Sequence, residues 1–167
     1  MRNLILFLTA VLVLVLVHYG IRQREGLITG GRTVLLELVP VDPRSLMQGD
    51  YMALRFKVAT EAFPTGTIKG LKDGRIVLAV DSRTVGAFRR FADNSPPAAD
   101  ELLIRYRVRN GQPKFATNAF FFQEKQGDYY REATYGEFRV SPDGEAILVA
   151  LRGKDLQTLG PKAAAQR

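Results

Sequence analysis

Ser45 and Lys57 are the pair in this sequence that comes nearest to a nucleophile and its base. A serine hydroxyl attacks only when a neighbouring base takes its proton, and the lone histidine, His18, sits in an apolar run, so lysine is the base left to consider. A lysine base needs desolvation to lower its pKa, whereas Lys57 alternates with Arg55 on the outer face of an expected strand. Two carboxylates, Asp50 and Glu137, would make a divalent-cation site if the fold brought them together, which the spacing does not decide. The simpler role for Asp50 is to accept backbone N–H groups at a turn or to pair with Arg44. There are no cysteines, which excludes disulfides, thiolate nucleophiles and thiolate metal sites. No cofactor or metal is expected. Arg105, Arg107 and Arg109 alternate with Ile104, Tyr106 and Val108, which sets three guanidinium groups on one face of one strand. Such a face suits anionic lipid headgroups, a polyanion or an acidic partner. It equally suits a solvated sheet whose charges discourage edge-to-edge pairing. No nucleic-acid recognition motif accompanies it, so no nucleic acid is expected as a partner. A small-ligand sensor would instead need a pocket lined by Tyr51, Phe122 and Tyr135.

The elements that must position these groups are mostly strands. Beyond residue 32 the apolar period is mostly 2, with candidate strands at Thr33–Val41, Tyr51–Val58, Arg75–Asp81, Leu102–Arg109, Lys114–Gln123, Gly136–Val140 and Ala146–Arg152. Lys72-Asp73-Gly74, Asn110-Gly111 and Ser141-Pro142-Asp143-Gly144 are turn signals between them. Ser82–Phe91 reads as a short helix and Ala92–Asp100, with its Pro96-Pro97, as a loop. Asp42 to Gly49 carries an N-cap acid, a proline at the first helical position and a closing glycine, the pattern of a one-to-two-turn helix. In Tyr51–Val58, Met52, Leu54, Phe56 and Val58 share the core face. In Phe120-Phe121-Phe122 the middle ring must face away from its neighbours. The expected fold is mainly β: a β-sandwich or small β-barrel-like domain with one or two short helices.

Ahead of this body, Leu4–Ile21 is apolar but for Thr9, His18 and Tyr19. As a helix it spans roughly 27 Å, close to the hydrocarbon thickness of a bilayer. No small-x-small cleavage site follows it, so a retained single-pass transmembrane anchor is expected, with the lipid bilayer as its partner. The expected layout is an anchor at 1–24, a Gly-rich linker at 25–32, the β domain at 33–160 and a flexible tail at 161–167. Arg2 precedes the span and Arg22 and Arg24 follow it, counts too small to orient it. The short basic head before an apolar run has the layout of an export signal, which favours an extracytoplasmic domain.

The segment Gly49-Asp50-Tyr51-Met52-Ala53-Leu54-Arg55-Phe56 resembles the motif of the GDYxxLxY family, small bacterial membrane-anchored proteins of uncharacterised function. It matches at Gly49, Asp50, Tyr51 and Leu54 and has Phe56 where the family has tyrosine. Val41-Asp42-Pro43-Arg44-Ser45-Leu46 and Tyr135-Gly136-Glu137-Phe138-Arg139-Val140 also resemble family blocks. The resemblance implies an inner-membrane anchor, a periplasmic or extracytoplasmic domain and association with a multi-pass membrane protein; it implies no activity. Its motif and binding positions here are Asp42, Arg44, Gly49, Asp50, Tyr51, Leu54, Phe56, Tyr135, Gly136 and Glu137. Ser45 and Lys57 bear a fainter similarity to membrane-anchored signal peptidases, but the Ser-Met-x-Pro block of that family is missing, as Leu46-Met47-Gln48 follows Ser45. A non-enzymatic docking or accessory role is therefore expected, with the Ser/Lys hydrolase and the ligand sensor as alternatives and the oligomeric state open.

Overall fold

The computed structural model of the chain describes residues 2–39, 47–48, 51–64, 72–93, 95–109 and 112–161. Its first element, α1, is one continuous helix over Arg2–Gly30. The stretch Leu6–Gly30 is long and apolar enough to span a membrane, with a mean hydropathy of 1.7, and its apolar span is not buried against the rest of the chain. The glycines at positions 26 and 30, expected in a linker, are helical, so α1 continues about 13 Å past Ile21.

The remainder is mainly β. A seven-stranded sheet has the order β10-β9-β1-β5-β4-β6-β7. Its members are β1 (Arg32–Glu37), β4 (Gly74–Val80), β5 (Val85–Phe91), β6 (Glu101–Arg109), β7 (Gln112–Phe115), β9 (Tyr135–Val140) and β10 (Ala146–Arg152). The β1–β5 pair is parallel and the other pairs are antiparallel. A second sheet joins β2 (Met47–Gln48), β3 (Tyr51–Ala53) and β8 (Ala119–Phe121). Two short helices complete the set, α2 over Lys57–Ala62 and a 3-10 turn over Gly127–Tyr130. The large sheet curls until the turn after β9 meets β6, where the Arg105 amide donates to the Gly144 carbonyl at 2.8 Å. The result is a nearly closed barrel-like sheet. Inside it Val34, Leu36, Ile76, Leu78, Ile104, Phe115, Phe138 and Leu151 form a core sealed by Met52, Leu54, Phe56 and Val58.

Three expected elements differ. The Ser82–Phe91 helix is strand β5, entered through a turn in which the Asp81 carboxylate accepts the amides of Arg83 and Val85, both at 2.8 Å. A bulge at Arg89 interrupts its pairing with β4, so Phe88 and Phe91, three residues apart, face the same side with ring centroids 5.5 Å apart. That spacing imitates a helical face. The Tyr51–Val58 strand stops at Ala53, resumes as a single bridge from Phe56 to Leu38, and gives way to α2, whose Val58 and Ala62 are buried one turn apart. Lys114–Gln123 is divided between β7 and β8, which belong to different sheets, because Ala116 turns the chain at a φ of 46°. The expected helix at Asp42–Gly49 and the Asn110-Gly111 turn lie outside the described residues, apart from Met47 and Gln48, which pair as β2 with β3.

Candidate functional site

The structure builds a basic groove around β6. Antiparallel pairing puts Arg75 of β4 opposite Arg105 and Lys114 of β7 opposite Arg107. Residues directly opposite one another present their side chains on the same face, so the three arginines of β6 are joined by cations on both sides. Arg105, Arg107 and Arg109 remain 46%, 55% and 58% exposed. One wall comes from the far end of α1, through Gln23, Arg24 and Leu27, and another from the β9–β10 turn, through Ser141, Asp143 and Glu145; the groove encloses about 680 Å³. An adjoining hollow of about 550 Å³ adds Asp73, Gly74 and Arg75.

Carboxylates hold the edges of this groove. Glu145 pairs with Arg105 and lies 3.7 Å from Arg107, and Asp73 lies 3.8 Å from Arg109 while accepting the Val108 amide at 2.7 Å. The Ser141 hydroxyl donates to Asp143, which holds that carboxyl below the ordinary carboxylate range, with Arg105 and Arg75 adding to the effect. Arg24, Arg75 and Lys114 make no salt bridge among the described residues. The site thus has arginines paired with carboxylates and, among the described residues, cations outside those salt bridges at its rim. Its charge and its hydrogen-bond donors suit an anion.

The motif residues fall elsewhere. Leu54 and Phe56 are buried, and the Phe56 ring meets Phe138 edge-on at 5.2 Å. Gly136 makes that contact possible: a Cβ there would stand 3.1 Å from both Phe56 and Leu148. Tyr51 is half-buried with its ring 5.7 Å from Phe121, which is 73% exposed. Phe122 stacks on Tyr130 at 5.5 Å, so Tyr51 and Phe122 contact different rings. Tyr135 is half-buried and pairs with Glu37 and Arg152 across the sheet. Glu137 is buried on the face of β9 opposite Phe138, with Arg152 donating to it at 2.6 Å and the Arg139 guanidinium 3.8 Å away as an ion pair. These contacts make Glu137 part of the sheet's internal wiring. Asp42, Arg44, Ser45, Gly49 and Asp50 lie outside the described residues, so neither the Asp50–Glu137 pairing nor the Ser45–Lys57 pairing is described.

Lys57 has the wrong environment for a base. It opens α2, is 53% exposed and donates to Glu37 at 2.9 Å. That hydrogen bond, backed by the Glu37 charge, raises its pKa above the ordinary lysine value, opposite to what proton abstraction needs. Among the described residues, no group of three or more His, Cys, Asp or Glu side chains is placed to hold a metal ion.

The family model described as GDYXXLXY protein matches residues 13–151, most of the chain and nearly all of the β domain. The chain belongs to the GDYXXLXY family. No curated protein and no solved structure matches it. The match begins inside α1 and ends in β10, so in this GDYXXLXY protein the second half of the apolar helix and the basic groove fall within the matched range. The three arginines of β6 are legible from alternation alone; Arg24 is legible only as a basic residue flanking the apolar span, and Arg75 and Glu145 carry no such signal of their own. Pairing the Lys72-Asp73-Gly74 turn strand with β6 in antiparallel register is the signal for Arg75, and the Asp143-Gly144 turn is the signal for Glu145. Nothing in the linear sequence signals that Arg24 approaches β6.

Proposed function

We propose that this GDYXXLXY protein is a non-enzymatic docking subunit. It is held in the bacterial inner membrane by α1, carries its β domain outside the cytoplasm and associates with a multi-pass membrane protein. The observation that carries this reading is the contrast between the two ends of α1. From Leu6 to Tyr19 its side chains are exposed and, apart from Thr9, His18 and the Tyr19 hydroxyl, apolar, while Gln23, Arg24 and Leu27 line the domain's basic groove. An uncovered apolar helix of this length is stable in hydrocarbon or against other apolar helices. The Lys57 environment supports the non-enzymatic part of the reading.

The test is affinity capture of the full chain from membranes in a mild neutral detergent, paired with compartment-specific reporters at the carboxyl end. A stoichiometric multi-pass protein and a reporter active only outside the cytoplasm are expected. Recovery of the chain alone, or a reporter active only inside the cell, overturns the reading.

A further inference from the structure

We infer that the groove between α1 and β6 is a seat for the headgroup of an anionic phospholipid. The inference rests on α1 remaining in the bilayer, as proposed above. With Leu4–Ile21 in hydrocarbon, Gln23, Arg24 and Leu27 lie two to six residues further along an unbroken helix, roughly 3–9 Å along its axis. The headgroup layer adds roughly 5–8 Å on each side of the hydrocarbon core, so the wall that α1 gives the groove lies at the depth of lipid phosphates.

Charge and shape agree with that depth. The groove and its adjoining hollow bring six basic side chains together with three carboxylates. Glu145 and Asp73 are already engaged by β6 arginines and Asp143 lies in the field of Arg105 and Arg75, so among the described residues Arg24 and Lys114 are the groove cations left to meet an outside anion. Guanidinium forks match phosphate oxygens in pairs, and the anionic charge of a lipid surface favours basic residues close to it. Leu27 and Ile147 give the same groove an apolar wall, where the first methylenes of an acyl chain would rest and a free phosphate or glycerol phosphate would gain nothing. The occupant is therefore a lipid rather than a soluble phosphate.

The experiment uses the full chain in a neutral detergent, with native mass spectrometry counting bound short-chain phosphatidylglycerol, phosphatidylcholine or glycerol 3-phosphate. The intact mass reports in the same spectra whether α1 is retained, so a cleaved anchor and an empty groove are told apart. Phosphatidylglycerol is expected to bind, more weakly as salt rises, with phosphatidylcholine and glycerol 3-phosphate much weaker. Arg107→Gln with Lys114→Gln weakens phosphatidylglycerol binding about tenfold or more. Arg55→Gln with Arg131→Gln removes the same charge from exposed sites outside the groove and leaves binding unchanged. If the double groove variant does not fold, Arg24→Gln, on the exposed helix, gives the same reading in the same direction. Equal binding of the two lipids, equal binding of glycerol 3-phosphate, or groove variants that bind like the parent chain overturn the inference.

Discussion

Phe56 stands where the family motif has tyrosine, and the contacts around it give the position a packing role. It is 1% exposed, edge-on to Phe138 and seated over Gly136. Phe56→Ala should destabilise the domain by about 3–5 kcal/mol in denaturant unfolding, the usual range for emptying a buried ring. Gly136→Ala approaches the same contact from the other strand and should cost about 1–3 kcal/mol, because its new methyl crowds three side chains together. Glu137 gives a different prediction. Removing Arg152 alone, as Arg152→Met, leaves a buried carboxylate with only the weaker Arg139 contact and should cost about 3 kcal/mol. The pair Arg152→Met with Glu137→Leu should recover most of that loss, since no charge is then stranded. At Asp143 the depressed pKa means that its contribution to stability is complete above the unfolded carboxylate value and is lost as pH falls through the folded one. Ser141→Ala should raise that folded value towards the ordinary range, which an NMR titration of the Asp143 carboxyl would follow.

At the level of elements, closure of the large sheet depends on the turn between β9 and β10. Gly144 there has a φ of 92°, and a Cβ would stand 3.2 Å from the Arg105 amide. Gly144→Ala should therefore destabilise the chain by about 1–3 kcal/mol and loosen β6, read as faster amide exchange at Arg105. Much of the fold was legible because apolar residues recur mostly at a period of 2: Met52, Leu54, Phe56 and Val58 are all buried as that period requires, even though their backbone passes from strand through a bridge into a helix. The exceptions have local causes. The Arg89 bulge gives β5 the three-residue ring spacing of a helix, and the positive φ at Ala116 redirects β8 without a glycine to announce it. The groove was half legible, because alternation reveals one strand's face while its other walls depend on which elements fold next to it. Arg24 joins Arg107 only through the course of an entire helix.

For the molecule as a whole, the formal net charge of +7 gathers where α1 meets the domain only in part, since Arg89 and Arg90 are engaged with Asp93, Asp100 and Glu101 on another surface. Uniform removal of surface charge should therefore matter less to membrane interactions than removal at β6 and β7, a contrast that binding measured across a salt series would expose. The joint between the two parts is a single residue. α1 ends at Gly30, β1 begins at Arg32, and the Gly31 amide donates to the Leu27 carbonyl at 2.9 Å. A Cβ at position 31 would stand 2.4 Å from that same oxygen. If α1 lies in a bilayer, as proposed, so short a coupling would make it a lever: a change in bilayer thickness that inclines α1 would swing β1 with it, carrying its parallel neighbour β5 and its antiparallel neighbour β9. Spin labels on α1 and β9, compared in thin and thick bilayers, would register that motion as one rigid rotation.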